Sequence, residues 1–219
     1  QRSASTRRAA SQRHASAYCR YVPCHPTNES LLWVVIPLMN SFPASCLGVL
    51  QSLADHDPDV DAVYRLTRPP HFTFSRAPGA PALVVPPGRL APYNAQATLH
   101  THGALWALLL PSSVHGRVSD IWRGYIAQTL MWDLGLRLAF TPPSVVQERN
   151  PHNWLADMQA EAPLYEQAGA LVETLGAWRC DGDEGGDHVG DLHAPKSLPT
   201  CLEQLWVEMY ERGVPAQLL

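Results

Sequence analysis

The pattern of hydrophobic and polar positions in the first half of the chain predicts short strands and one short helix. An apolar run with β-branched residues at 31–36 is typical of a buried strand, and residues 45–54 indicate a short helix. Residues 60–67 alternate between apolar and polar side chains before two prolines, which predicts another strand. The many prolines of residues 68–92 favour an irregular crossing with brief extended pieces.

The second half of the chain has longer helical patterns. A broad apolar face begins at Ser119, a good N-cap residue, and ends at Gly135, which predicts the clearest helix. Helical spacing returns over residues 154–178, with a bend near Pro163, and again over residues 198–212.

Extended segments lie between these helices. Residues 136–141 alternate like a strand that stops at Pro142-Pro143, and residues 145–149 predict a further short strand. Strands interleaved with helices predict a mixed α/β layer structure.

Composition separates the start of the chain from the rest. Residues 1–28 contain five arginines and no acidic residue, so we expect residues 1–30 to be a disordered segment rich in Arg, Ser and Ala. We place the main globular region at 31–179, an acidic glycine-rich loop at 180–197 and a C-terminal helix at 198–219. Because the first residue is Gln rather than Met, we expect the chain to be cut from a longer one.

Charge, length and motifs exclude several classes of function. The 219 residues have a net charge of -4 and a single lysine, which argues against a nucleic-acid partner. The apolar stretches are far shorter than the roughly 20 residues of a membrane-spanning helix. Five irregularly spaced cysteines predict neither a disulfide framework nor a zinc site, and the usual hydrolase, kinase, zincin and dehydrogenase motifs are absent from the sequence.

Four closely spaced aspartates form the first candidate site: Asp55, Asp57, Asp59 and Asp61. Clustered carboxylates bind hard divalent cations such as Mg²⁺ or Mn²⁺. Here the apolar run follows the aspartates, which places them at the start of a strand rather than at its carboxyl end. The favoured interpretation is therefore an Asp-Pro turn that caps the preceding helix.

Asn94 and Gln96 form the second candidate site. Two residues apart on an extended segment, they project to the same side and suit a sugar or a uracil edge. From spacing alone, the favoured alternative is a turn in which Asn94 bonds its own backbone.

The third candidate is Asp120 with Arg117 and Arg123. We expect Asp120 in the first turn of the strong helix, where a carboxylate could act as general base, while the arginines bind diphosphate oxygens. The equally open alternative is an acid at the helix N-terminus, paired to one of these arginines.

A fourth polar string follows the predicted strand at 145–149. It contains Gln147, Arg149, Asn150 and His152, at a position where ligands meet the edge of an α/β sheet. His152 could ligate a metal or a phosphate, whereas a lone histidine before a helix is more often a cap or a structural donor.

Several long motifs in order resemble one family. Residues 57–67, PYNAQATL at 92–99, LWALLLP at 105–111, GRVSDIWRGY at 116–125 and QERNPH at 147–152 are similar to the STELLO family of glycosyltransferases. The resemblance implies an α/β, GT-A-like mixed sheet with flanking helices, a nucleotide-sugar donor and a glycan acceptor. It also implies a Golgi membrane location and, in plants, an association with cellulose synthase assembly. A weaker likeness to reversibly glycosylated polypeptides, the UDP-arabinopyranose mutases, supports a nucleotide-sugar ancestry.

The resemblance also implies roles for individual residues. By analogy with GT-A enzymes, Asp120 would be the catalytic base and His152 would join a divalent metal, Mn²⁺ or Mg²⁺. Substrate contacts would come from Asn94, Gln96, Arg117, Arg123, Gln147, Arg149 and Asn150.

The chain also departs from the family pattern. No consecutive-aspartate metal motif precedes Asp55, residues 1–45 do not resemble the family, and no apolar span that would serve as the family's membrane anchor is found in the sequence. We therefore expect an incomplete, C-terminal half of the domain, either a fragment or a misjoined gene model. The alternative function is an inactive interaction domain that supports another glycan-synthesising enzyme.

Overall fold

The computed structural model describes residues 44–74, 82–181 and 197–213. The disordered segment predicted at 1–30, the strand predicted at 31–36 and most of the acidic loop predicted at 180–197 lie outside these residues.

The described elements alternate between strands and helices. In chain order they are β1 (Leu47–His56), α1 (Ala62–Thr67), β2 (Leu83–Val84), β3 (Thr98–His100), α2 (Gly116–Asp133), β4 (Arg137–Gln147), α3 (Trp154–Ala160), α4 (Ala162–Glu166), α5 (Ala168–Ala177) and α6 (Leu198–Glu211). Short 3-10 turns precede β1 at Ala44–Cys46 and follow β3 at His102–Leu108.

The four described strands form one mixed sheet in the order β2-β4-β1-β3. β1 and β4 are parallel, and the two outer strands pair antiparallel to them. Parallel pairing brings the carboxyl ends of β1 and β4 together, and the Asp57 N–H donates to the Gln147 carbonyl at 3.1 Å. The sheet and its flanking helices confirm the α/β prediction and fit a partial GT-A-like domain.

On either side of the aspartates, the predicted helix is a strand and the predicted strand contains a helix. Residues 45–54 lie mostly in the central strand β1, and residues 60–67 contain helix α1, so both predictions are wrong. The Asp61 side chain accepts the Tyr64 N–H at 2.9 Å and thereby caps α1. Short apolar runs do not distinguish a buried strand from a helix, and here the pairing with β4 decides.

β4 continues through Pro142-Pro143, where a stop is predicted. The register against β1 shifts between Ser52 and Ala54, so β4 bulges at the prolines. The Ser52 hydroxyl accepts the Ser144 N–H at 3.0 Å. This side-chain bond compensates for a ladder bond that proline cannot make, and the two predicted strands become one.

Helix α2 is confirmed, but its start is not. The N-cap is His115, whose Nδ1 accepts the Arg117 N–H at 3.2 Å. Ser119 lies inside the helix and donates its hydroxyl to the Gly116 carbonyl at 3.2 Å. The predicted end is correct, because Gly135 has a φ of 72° just past the helix.

Two apolar clusters hold the sheet and helices together. One joins α2, α5 and α6 around the fully buried Trp122, and the other joins α2 to the sheet around Val49 and Leu138. The helical pattern of residues 154–178 forms α3, α4 and α5 with breaks near Pro163, as predicted.

A disulfide joins the end of the α5 segment to α6, between Cys180 and Cys201. The expectation that the cysteines build no disulfide is therefore wrong for this pair, because the fold brings together two residues whose spacing carried no signal. None of the helices in the described ranges is long and apolar enough to cross a bilayer.

Candidate functional site

The candidate site lies where the parallel strands β1 and β4 end. Asp57 and Asp59 follow β1, and Arg149 follows β4. Arg149 forms an ion pair with Asp59, and its Nε lies 3.9 Å from the Asp57 carboxylate. The buried Arg65 of α1 forms an ion pair with the same oxygen of Asp57, Oδ1. The aspartates therefore stand at the carboxyl end of a strand, which corrects their predicted place at its start.

The Asn94 segment bridges to both strands. The Asn94 Oδ1 accepts the Gln96 N–H at 3.0 Å and so forms the predicted turn. The Asn94 Nδ2 donates to Asp59 at 3.1 Å. Gln96 accepts a bond from Gln147 Nε2 at 2.9 Å. The turn and the side-chain contacts across the site thus coexist.

Gln51 supports this segment and is a residue that sequence reasoning missed. Buried in β1, it accepts the Asn94 N–H at 3.2 Å and the Thr98 hydroxyl at 3.0 Å. Its Nε2 donates to the Gln96 carbonyl at 2.6 Å. A glutamine directly after the apolar residues at 47–50 is the sequence signal that could have identified it.

Asp120 lies in the second turn of α2, one turn later than predicted. Its Oδ2 accepts the Ala95 N–H at 2.9 Å and its Oδ1 accepts the Ile121 N–H at 3.0 Å. Gly124 allows α2 to lie this close to the segment at residues 93–95, because a Cβ at position 124 would lie 3.0 Å from the Tyr93 carbonyl. No ion pair involves Asp120 among the described residues, so the alternative of an acid paired to Arg117 or Arg123 does not hold.

Arg117 is bound by acids from α3 and its C-terminal end. Its Nε and Nη2 donate to Glu161 Oε1 at 3.1 and 2.9 Å, and Nη2 lies 3.2 Å from Asp157. Glu161 is only 4% exposed and also accepts the Ala62 N–H at 2.7 Å. Glu161 therefore connects α1, α2 and α3, and the local sequence gave no signal for this role.

Tyr165 completes this acid cluster. Its hydroxyl donates to Glu161 Oε2 at 2.8 Å. Burial raises the pKa of Tyr165, and the hydrogen bond and the negative charge of Glu161 raise it further. The phenol therefore stays protonated and remains a donor at neutral pH.

These side chains line two adjoining cavities, of ≈ 620 and ≈ 460 Å³, that we call the carboxyl-edge cleft. The cavities share Asp59, Pro92, Gln96 and Ile121. The larger one is also lined by polar and aromatic side chains: Asp61, Tyr64, Arg117, Asp120, Tyr125, Arg149, Glu161 and Tyr165. The smaller one is lined by Gln51, Asn94 and Gln147 among others. Six of the nine predicted site residues thus meet in one cleft.

The other three predicted site residues lie elsewhere. Arg123 is 4% exposed, and its guanidinium lies 5.1 Å from the centre of the Tyr93 ring. Asn150 is exposed and lines neither cavity. His152 is exposed, stacks on Trp154 and has its Nδ1 3.4 Å from Asp157.

The donors around His152 do not fit a divalent ion by themselves. Asp157 is also paired with Arg117, whose positive charge opposes a second cation. Across residues 44–74, 82–181 and 197–213, no three His, Cys, Asp or Glu side chains come close enough together to hold a metal ion.

Comparisons with known proteins point to one family. Residues 117–209, which include Arg117, Asp120 and most of α6, match the family model of STELLO glycosyltransferases. The chain is 32% identical over 164 residues to the Arabidopsis thaliana protein "Probable glycosyltransferase STELLO2", covering 74% of this chain and 21% of that relative. It is 32% identical over 163 residues to "Probable glycosyltransferase STELLO1" from the same plant, covering 73% and 20%.

The matched region spans about a fifth of the length of these relatives. It includes most of this chain, and the family model covers the helix that carries Asp120. The chain therefore belongs to the STELLO family of glycosyltransferases.

Proposed function

We propose that this chain forms part of a glycosyltransferase that uses a nucleotide sugar in polysaccharide or glycan synthesis. In this proposal Asp120 is the general base that takes the proton from an acceptor hydroxyl. The observation that carries the proposal is the Asp120 carboxylate, which lines the cleft and pairs with no cation among the described residues.

Asp120 suits this role better than the other cleft carboxylates. Asp59 and Glu161 are held by Arg149 and Arg117, and a carboxylate loses its ion pair when it accepts a proton. Asp61 is already engaged as the N-cap of α1. An ionised carboxylate has about four lone-pair sites. On Asp120, two backbone N–H groups occupy two of these sites, one on each oxygen. The carboxylate is thus oriented but still able to accept a hydroxyl proton.

The arginines of the cleft retain donors for a nucleotide diphosphate. The Nε of Arg149 is buried without a hydrogen-bond partner among the described residues. The bonds that Arg117 makes to Glu161 use its Nε and Nη2, two of the nitrogens of a group with five N–H donors. We assign the two guanidinium groups to the leaving diphosphate, where fixed positive charge stabilises the transition state.

The remaining polar side chains suit sugar hydroxyls. Asn94, Gln96 and Gln147 lie in the smaller cavity as donors and acceptors without net charge. Tyr64 and Tyr165 contribute aromatic surface to the larger cavity, where the apolar faces of a sugar ring can pack. No three His, Cys, Asp or Glu side chains of the described residues converge there, so in this proposal Mn²⁺ or Mg²⁺ would be held largely by the substrate phosphates and water.

A Golgi location and a membrane anchor elsewhere in the longer protein are part of the proposal. The disulfide between Cys180 and Cys201 supports this location, because structural disulfides are typical of oxidising compartments such as the secretory pathway.

The test compares the wild-type chain with Asp120→Asn in nucleotide-sugar hydrolysis and in glycosyl transfer to oligosaccharides. Loss of a general base lowers the rate by about 10²–10⁴-fold. Glu203→Gln on the exposed face of α6 is the matched control and should keep the wild-type rate. Equal rates for Asp120→Asn and the wild type would remove Asp120 from the proposed role.

A second candidate function is a non-catalytic domain that supports another glycan-synthesising enzyme. It is favoured by the ion pairs in the cleft, which already neutralise much of the charge of Arg117 and Arg149. Calorimetry with UDP-sugars and Mn²⁺ discriminates the two. Micromolar binding supports the enzyme, whereas no binding at millimolar sugar nucleotide supports the interaction domain.

A further inference from the structure

An apolar groove lies between the 3-10 turn His102–Leu108, helix α2 and the C-terminal helix α6. Its volume is ≈ 120 Å³, and it shares no lining residue with the carboxyl-edge cleft. Its walls are formed mainly by large apolar side chains: Trp106, Leu110, Ile126, Leu198, Leu202 and Trp206.

Arg123 is the charged residue of this groove. Arg123 lines the groove, and its Nη1 lies 3.4 Å from the carbonyl of Ala107, another lining residue. Its Nε makes a similarly long contact of 3.4 Å to the Asp120 carbonyl. Its Nη2 is buried and has no hydrogen-bond partner, and no acid forms an ion pair with Arg123 among the described residues.

A desolvated and unpaired guanidinium is unfavourable unless something compensates for it. Burying a charge requires a counter-charge and hydrogen bonds, whereas the described residues give Arg123 two long contacts to carbonyls and the face of the Tyr93 ring, none of which carries a negative charge. The electrostatic influence of Arg123 is visible nearby, because it adds to burial in lowering the pKa of His100. An anionic group in the groove would supply the missing partner.

We propose that this groove binds a small anionic amphiphile, with its carboxylate on Arg123 and its alkyl chain between Trp106 and Trp206. A peptide terminus fits less well, because the side chains of the walls offer its backbone N–H groups no polar acceptor. A cavity of about 150 Å³ holds a benzene-sized group, so the groove takes the first few carbons next to the head.

The surface beside the groove can accommodate the rest of such a chain. Leu109 is 71% exposed, and its neighbours Leu108 and Leu110 are also largely exposed. Contiguous exposed apolar residues of this kind mark interaction sites on protein surfaces. The ligand would thus leave the groove across these leucines. The proposal is independent of the proposed glycosyl transfer, since the two sites have separate walls.

The test measures binding of octanoate, octyl phosphate, 1-octanol and octyltrimethylammonium below their micellar concentrations, by calorimetry and by tryptophan fluorescence. We expect octanoate to bind at least about tenfold more tightly than 1-octanol, because hydrogen bonds to a buried charge are strong. Trp106 and Trp206 should report binding by a fluorescence change. Octyl phosphate should likewise bind more tightly than 1-octanol, and octyltrimethylammonium binding as tightly as octanoate would overturn the proposal.

Two variants separate the head group from the tail. Arg123→Gln should weaken the binding of octanoate roughly tenfold or more and leave the binding of 1-octanol unchanged. Arg123→Lys should keep most of the affinity for octanoate, because the positive charge remains. Leu202→Trp fills the groove and should abolish binding of both ligands, which keeps the proposal testable if Arg123→Gln does not fold. Equal affinity for octanoate and 1-octanol, no binding of octanoate to the folded wild type, or unchanged binding in Leu202→Trp would overturn the proposal.

Discussion

The carboxyl-edge cleft and the apolar groove both adjoin helix α2, and their charges are arranged in opposite ways. In the cleft, Arg117 and Arg149 are neutralised by acids, whereas the carboxylate of Asp120 has no counter-charge within the described residues. In the groove the walls are mainly apolar, and it is the cation Arg123, one turn later on α2, that has no counter-charge from the parts of the chain that the structure describes. Paired charges hold segments together, whereas unpaired ones indicate where a ligand supplies the missing charge.

The largest expected effect is on the acid that joins three helices of the cleft. Glu161→Ala removes the partner of Arg117 and leaves the buried Ala62 N–H without an acceptor. The free energy of unfolding should fall by about 3–5 kcal/mol, as for other broken buried pairs. Urea denaturation measures it, with the exposed Glu203→Ala as control. A loss below 1 kcal/mol would show that the cleft is not held by this pair.

The second largest expected effect on stability comes from the disulfide that fixes α6, one wall of the groove. Replacing both Cys180 and Cys201 by serine removes a cross-link across 21 residues, which is worth about 3 kcal/mol in the chain-entropy account. We also expect faster amide hydrogen exchange in α6 than in α2, since the disulfide ties α6 to the end of the α5 segment. Uniform exchange across both helices would contradict this local effect.

Alkaline pH should lower the free energy of unfolding through Tyr93, whose ring lies against Arg123. Burial raises the pKa of Tyr93 to about 12, although the nearby Arg123 opposes the shift. The folded protein then keeps its phenol proton above pH 10, where the unfolded chain loses it. Unfolding free energy should therefore fall between pH 10 and about 12, by about 2–3 kcal/mol. In Tyr93→Phe this part of the pH dependence should disappear. If the free energy of unfolding falls as steeply with pH in the variant as in the wild type, Tyr93 is not its cause.

The smallest expected effect on stability is at the proposed catalytic residue. Asp120→Asn keeps an oxygen acceptor for the Ala95 N–H and breaks no ion pair among the described residues. The free energy of unfolding should change by less than about 1 kcal/mol. Thermal denaturation beside Glu161→Ala measures the contrast. A loss as large as that of Glu161→Ala would make Asp120 a structural residue.

Long and periodic segments were predictable from the sequence. Helices α2 and α6 and the bent helical region around Pro163 were found where their apolar spacing placed them. The short elements were not, because the alternation before Pro69 and the apolar run before Asp55 fit more than one structure. For residues 60–67 the Asp61 cap and the bond from the Ala62 N–H to Glu161 decided, and for residues 45–54 the pairing with β4 did.

The candidate site was predictable in part. The polar strings around Asn94, Asp120 and Gln147 do meet in the cleft, since β1 and β4 end at the same edge. Gln51 and Glu161 were missed, because their partners lie 43 to 99 residues away in the chain.

By itself the sequence determined the α/β class, the family and the residue types that supply acid, base and amide groups. These follow from local periodicity and from motifs, which need no knowledge of distant contacts. Only the tertiary structure decided which charges found partners, because an ion pair depends on which segments meet in space. It thereby separated Asp120 in the cleft from Arg123 in the groove, although the two residues are three positions apart.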